Sequence, residues 1–193
     1  SSSAQLELTE ASEISILSIG PGHLLNDSFG HSAIRVKDPL YNFDVVFDYG
    51  RYNFEAEGFY LNFTKGKLDY MVGRSAFDDF LSFYEYQNRR VQEQQLNLST
   101  KQKTEFYYFL TENIKPENKF YPYDFFYNNC ATKITDAIES ILGDQITYLP
   151  DSTFKQETFR NLIRSDLNQN SWGSLGIDVA LGSKIDQTAT VKE

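Results

Sequence analysis

The sequence predicts an α+β fold: an antiparallel sheet packed against helices, with a nucleophile-type residue at one helix N-terminus. Three observations carry this reading. Apolar residues alternate over 14–19, 31–36 and 45–49, with turn-length breaks between, the pattern of an antiparallel meander. Ser99-Thr100-Lys101-Gln102 has the capping-box spacing that opens a helix. Asn129 precedes Cys130 and then Ile134, Ile138, Ile141 and Leu142, which recur at helical spacing.

Each element follows in order. Residues 1–12 are polar and read as a loose arm. Strand 14–19 stops at Gly20-Pro21-Gly22, a strong breaker. His31 opens the second strand, and Asp38-Pro39 with Asn42 marks the turn into the third, closed by Gly50. Residues 56–64 read as a helix and 67–73 as a fourth strand. Ser75 is expected to cap a helix running to 86, with Phe77, Phe80, Leu81 and Tyr84 on its inner face. Residues 90–98 alternate as a fifth strand. The helix opened by Ser99 runs to 114, with Phe106, Phe109, Leu110 and Ile114 inward. Pro116 and Pro122 bracket a loop. The helix after Asn129 stops at Gly143, and another spans 153–163. From Asn168 the chain turns polar apart from an apolar patch at 175–181. The division expected is an arm at 1–13, one domain at 14–182, and a linker at 183–193.

Composition narrows the function. At 193 residues the chain suits one domain with its own core. A net charge of -9 argues against nucleic acid, which needs a basic face, and against simple electrostatic docking on anionic lipid. No run approaches the roughly 20 apolar residues that span a bilayer. The opening Ser1-Ser2-Ser3 reads as a processed start, so targeting signals are not judged from it. One cysteine forbids an internal disulfide. Two histidines with no cysteine cluster disfavour zinc, and no Walker motif or G-x-S-x-G elbow occurs, so no metal or other cofactor is expected. Gly20-Pro21-Gly22 lacks the third glycine of a dinucleotide loop. Asp78-Asp79 and Glu55/Glu57 read as solvated faces, and His23 as a surface residue.

What remains is Cys130. Unpaired N–H groups and the helix dipole favour a thiolate there, and the thiolate is the nucleophile. His31 is the expected base, and Asp48, on the adjacent strand, the group that orients it. Should Asp48 not serve, Tyr49, Asn53 or Asp124 would be next. Backbone N–H groups at the helix start should meet the oxyanion, with Tyr127 or Asn129 adding a donor. The competing reading makes Cys130 a small buried hydrophobe and His31 an ordinary strand residue. The six aromatics of 120–127 run into Cys130 and serve either the core or a groove for an extended or acyl substrate.

Six blocks in order resemble one family: Gly20-Pro21-Gly22; Phe29-Gly30-His31-Ser32-Ala33-Ile34-Arg35; Asp48-Tyr49-Gly50; Gln94-Gln95-Leu96-Asn97-Leu98; Asn128-Asn129-Cys130-Ala131-Thr132; and Gly176-Ile177-Asp178-Val179-Ala180-Leu181-Gly182. Together, over about 14–190, they resemble the Lnb N-terminal periplasmic domain family. The resemblance implies a circularly permuted papain-like fold of the NlpC type, with the histidine strand ahead of the cysteine helix. It implies a periplasmic cell-envelope enzyme that N-acylates lipoproteins. An acyl group would pass from a phospholipid or other donor to Cys130 as a thioester, then to the amine of a lipoprotein's N-terminal cysteine. Cys130 and His31 carry over as catalytic residues, and Asp48 as orienter. Arg35 and Tyr49 fall in matched blocks and join Tyr127 and Asn129 as expected oxyanion or substrate support. A C-terminal membrane region is implied beyond the linker. Two alternatives stand beside this: a cysteine hydrolase of cell-wall peptides, and a non-catalytic periplasmic binding module.

Overall fold

Alternation in the first strands sends side chains to two faces of a sheet, and both faces are covered. The computed structural model describes residues 6–23, 27–52, 69–124, 126–149, 156–166 and 186–189. Among these are strands β1 (Glu13–Ile19), β2 (His31–Asp38), β3 (Phe43–Arg51), β4 (Asp69–Ala76), β5 (Val91–Gln95) and β6 (Phe120–Pro122). The helices are α1 (Phe77–Tyr86), α2 (Thr100–Asn113), α3 (Cys130–Leu142) and α4 (Phe159–Asp166), with a short 3-10 turn at Gly143–Gln145. The six strands form one sheet in the order β5-β1-β2-β3-β4-β6, every pair antiparallel. The fold is α+β, and the expected meander is its centre.

One face of the sheet carries Ile14, Ile34, Val36, Val45, Phe47, Tyr49 and Val72 against Phe106 and Leu110 of α2 and Ile134 and Ala137 of α3. The other carries Leu17, Ile19, Ala33 and Val46 against Phe80 and Tyr84 of α1. Because helices cover both faces, Val45 to Tyr49 are all buried although only alternate residues share a face. Each fully buried aliphatic or aromatic side chain here contributes roughly 1.5–3 kcal/mol. The Ser99 capping box is present: Ser99 Oγ accepts from the Gln102 N–H, and Gln102 Oε1 accepts from the Ser99 N–H.

Several expectations shift. Ser75 caps nothing; β4 runs through it and α1 starts at Phe77 behind Ala76, which makes no side-chain cap. Asp78 and Asp79 still favour that start by facing the helix dipole. Residues 120–122, expected as loop, form β6 on the edge of the sheet, where Pro122 is tolerated because an edge strand has one unpaired side. The fifth strand ends at Gln95, with one further bond from the Leu96 N–H to the Ile14 carbonyl. Residues 6–12 are not loose: Leu8 is buried, and the Thr9 N–H and hydroxyl donate to the fully buried Asp38 carboxylate. Helix α4 starts at Phe159, and Thr188, within the expected linker, forms a bridge with Thr158. The expected helix at 56–64, the first part of 153–163 and the apolar patch at 175–181 lie outside the described residues.

Candidate functional site

The start of α3 is fixed by Asn129. Its side-chain oxygen accepts from the Ala131 and Thr132 N–H groups at 2.8 and 3.0 Å, and the Thr132 hydroxyl accepts from the Asn129 N–H at 2.8 Å. This reciprocal cap makes Cys130 the first residue of the helix. The cysteine is half-buried and free. It sits where the helix meets the sheet beside His31, the first residue of β2.

Strand register brings in the third residue. Ala33 of β2 pairs with Asp48 of β3, so His31, two residues earlier, lies diagonally from Asp48 on the same face. His31 Nε2 stands 3.8 Å from Asp48 Oδ2, a close ion pair rather than a hydrogen bond. Extending the register sets Gly50 across from His31. A Cβ there would lie 3.8 Å from both the Cys130 Cβ and the His31 Cε1. Gly50 has φ +94, and the β3–β4 register shifts by one residue between Asp48 and Arg51. This bulge opens the strand end where the thiol and the imidazole meet.

Charge follows from the geometry. Burial lowers the affinity of His31 for its proton, but the Asp48 carboxylate and the Cys130 sulfur overcome this and raise its pKa to about 9. Burial pushes the Cys130 thiol up; His31, with the backbone N–H groups of Ser32 and Ala131, outweighs it and holds the thiol below its ordinary value. Asp48 is likewise pushed up by burial and brought below the usual carboxylate range by His31 and Arg51. The arrangement therefore favours a thiolate–imidazolium pair with a carboxylate behind it.

Cys130, His31 and Asp48 thus come together. The supporting residues do not. Arg35 lies farther along β2, clamped by Asp44 and Glu93 and stacked 3.5 Å over Phe77, where it ties strands together. Tyr49 points to the opposite face, fully buried, its hydroxyl donating to Asn113 Oδ1 at 3.3 Å. Adjacent strand residues face opposite ways, so Tyr49 cannot join Asp48. The Tyr127 hydroxyl donates to Gln187 and its ring packs against Phe159. The Asn129 side-chain oxygen serves the helix cap. Asp124 accepts from the Phe126 and Tyr127 N–H groups, turning the loop, and Asn53 lies outside the described residues.

Other groups surround the thiol, and of these the sequence predicts only the aromatics of 120–127 near it. The β2–β3 ladder ends at Ala33–Asp48, and the Ser32 N–H turns to the Cys130 sulfur. The phenols of Tyr121 and Tyr123 are raised by burial and by the nearby cysteine. Tyr123 stacks on Tyr70 at 4.1 Å, and Tyr70 meets Tyr52 at 5.3 Å, forming an aromatic wall. The Tyr84 ring lies 6.4 Å from that of His31. Arg51 grips Asp48 from behind. Gly50, inside a strand, was the readable signal, since such a glycine marks a bulge or close approach. Among the described residues, no group of three or more His, Cys, Asp or Glu side chains is arranged to hold a metal, and no helix is long and apolar enough to cross a membrane.

Comparison with known proteins gives one family. The model described as Lnb N-terminal periplasmic domain matches residues 3–165. No curated protein matches the chain, and no solved structure does.

Proposed function

Because this chain belongs to the Lnb N-terminal periplasmic domain family, and is a periplasmic domain, we propose that it is a cysteine-dependent acyltransferase that N-acylates the terminal cysteine of bacterial lipoproteins. The observation that carries the reading is the line Cys130–His31–Asp48 at the start of α3. His31 precedes Cys130 in the chain, which suits a permuted papain-like arrangement of the NlpC type.

In the first half-reaction the Cys130 thiolate attacks the ester carbonyl of the acyl donor. The Ala131 and Thr132 N–H groups serve the Asn129 cap, so the N–H of Cys130, first in the helix, with that of Ser32, is the donor to the oxyanion. The ester C–O bond breaks, the leaving alkoxide takes the proton from the His31 imidazolium, and a thioester remains on Cys130. In the second half the lipoprotein amine attacks the thioester carbonyl and gives its proton to His31. The C–S bond breaks, returning the thiolate–imidazolium pair. Asp48 steadies His31 through both steps. The aromatic wall of Tyr52, Tyr70 and Tyr123 supports the transferase over the hydrolase, because it offers an acyl chain an apolar surface and keeps water off the thioester.

The test incubates the protein with a diacylated lipopeptide and phospholipid vesicles and follows the lipopeptide mass. A gain of one acyl group, lost in Cys130→Ala, is the expected result. Cleavage of cell-wall peptide with no change in the lipopeptide replaces the transferase by the hydrolase. No covalent chemistry on either substrate leaves a binding module.

A further inference from the structure

Asp48 and Arg51 are three residues apart, so in a regular strand they would face opposite sides of the sheet. Here they share a side. The one-residue shift between the Asp48–Gly73 and Arg51–Met71 pairs turns Arg51 back over the strand. Its Nε lies 2.9 Å from both Asp48 oxygens, and its Nη2 lies 2.5 Å from Asp48 Oδ1 and 3.2 Å from Ser75 Oγ. The side chain passes over Gly73: a Cβ at that position would overlap its Nε, Cδ and Cζ. The same bulge that opens the site at Gly50 therefore brings in an arginine, and a second glycine leaves room for it.

We infer that Arg51 is a positioning residue, which holds the Asp48 carboxylate back from His31 and so limits how tightly the imidazole keeps its proton. This rests on the reading of Cys130, His31 and Asp48 as the reacting line. The distances carry the inference. Asp48 is within hydrogen-bond reach of Arg51 and 3.8 Å from His31, so the carboxylate is seated on the arginine. Charges then alternate from thiolate to imidazolium to carboxylate to guanidinium and sum to zero. Without the guanidinium, the carboxylate would close on His31, and an imidazolium bound that tightly would be a poorer proton donor to a leaving alkoxide. An exposed arginine–carboxylate pair would contribute little. This one is built over a glycine behind a site, and its carboxylate is buried.

The other charged or titratable groups around His31 come from α1, α3 and the β6 region. They are Tyr84, with Arg89 stacked on it and Asp27 beyond, then Cys130, and then Tyr121 and Tyr123 near the sulfur. None of these contacts Asp48 as Arg51 does, so the test turns on Arg51. The His31 ring proton is followed by NMR through a pH titration in the whole chain, assigned with His23→Ala. In Arg51→Gln the His31 pKa should rise by roughly one unit, the low end of what an opposite charge at close range produces. Gly73→Ala, which alters no charge but displaces the arginine, should shift it the same way. Arg51→Lys, with the charge but not the fork, should fall between. An unchanged or lowered His31 pKa in folded Arg51→Gln and Gly73→Ala overturns the assignment. Should Arg51→Gln fail to fold, Gly73→Ala decides. The catalytic reading fails separately: its failure shows as a wild-type Cys130 that alkylates no faster than free cysteine.

Discussion

At the scale of single residues, the site is a contest between burial and partners. Burial alone would raise the Cys130 thiol, and only His31 and two backbone N–H groups reverse that. Wild-type protein should therefore react with iodoacetamide at pH 6 about tenfold or more faster than free cysteine, whose ordinary pKa is roughly 8.5. Removing the cation leaves only the Ser32 and Ala131 N–H groups to set against burial. In His31→Ala the rate-against-pH curve should thus move to the alkaline side of the wild-type curve. A curve that stays in place would mean that His31 does not act on the thiol. Asp48 gives a second test. Its folded pKa lies below its unfolded value, so the stability it contributes is present above roughly pH 3.9 and lost as pH falls through the folded value. The gap in unfolding free energy between wild type and Asp48→Asn should close on acidification, and acyl transfer at neutral pH should fall about 10²–10⁴-fold while the fold persists. That Cys130 and His31 lie together was legible because cysteine and histidine are so few, and Asp48 because it sits on the neighbouring strand. Arg51 was not, because its approach to Asp48 depends on a bulge that spacing alone does not announce.

At the scale of elements, two capping boxes separate stability from chemistry. Asn129→Ala and Ser99→Ala should each lower stability by about 1 kcal/mol in chemical denaturation. Only Asn129→Ala should also slow Cys130 alkylation, because only that cap sets where the thiol stands. Equal slowing in both would tie reactivity to general stability. Gly50→Ala tests the bulge. A side chain at φ +94 is strained, while its Cβ would meet Cys130 and His31 at an ordinary contact distance of 3.8 Å. A loss of about 1–3 kcal/mol is expected from the strain, with a thiol that reacts more slowly at pH 6 as the bulge relaxes. The helix after Asn129 was readable to its Gly143 end because cap, period and stop all agreed. Strand β6 was missed because three residues ending in proline carry no periodic signal, and its pairing with β4 is set by a distant strand.

At the scale of the whole molecule, the sheet gains from a segment that looks dispensable. Leu8 is buried in the main core, and the neighbouring Thr9 satisfies the fully buried Asp38. Leu8→Ala should cost about 2–5 kcal/mol and lower the thermal midpoint by several degrees, while Leu6→Ala, at a more exposed position, should change little. The polar composition of 1–12 hid this, since two leucines among polar residues are no pattern. By itself the sequence determined the α+β class, the central meander, the helix that presents Cys130, and the His31 and Asp48 partners, because each rests on local periodicity, capping chemistry or residue scarcity. Only the tertiary structure decided which face each side chain takes: Tyr49 into the core, Arg35 onto a strand clamp, Arg51 onto Asp48. Facing is set by register, and a shift of one residue at a bulge reverses it, which no property of the neighbouring residues records.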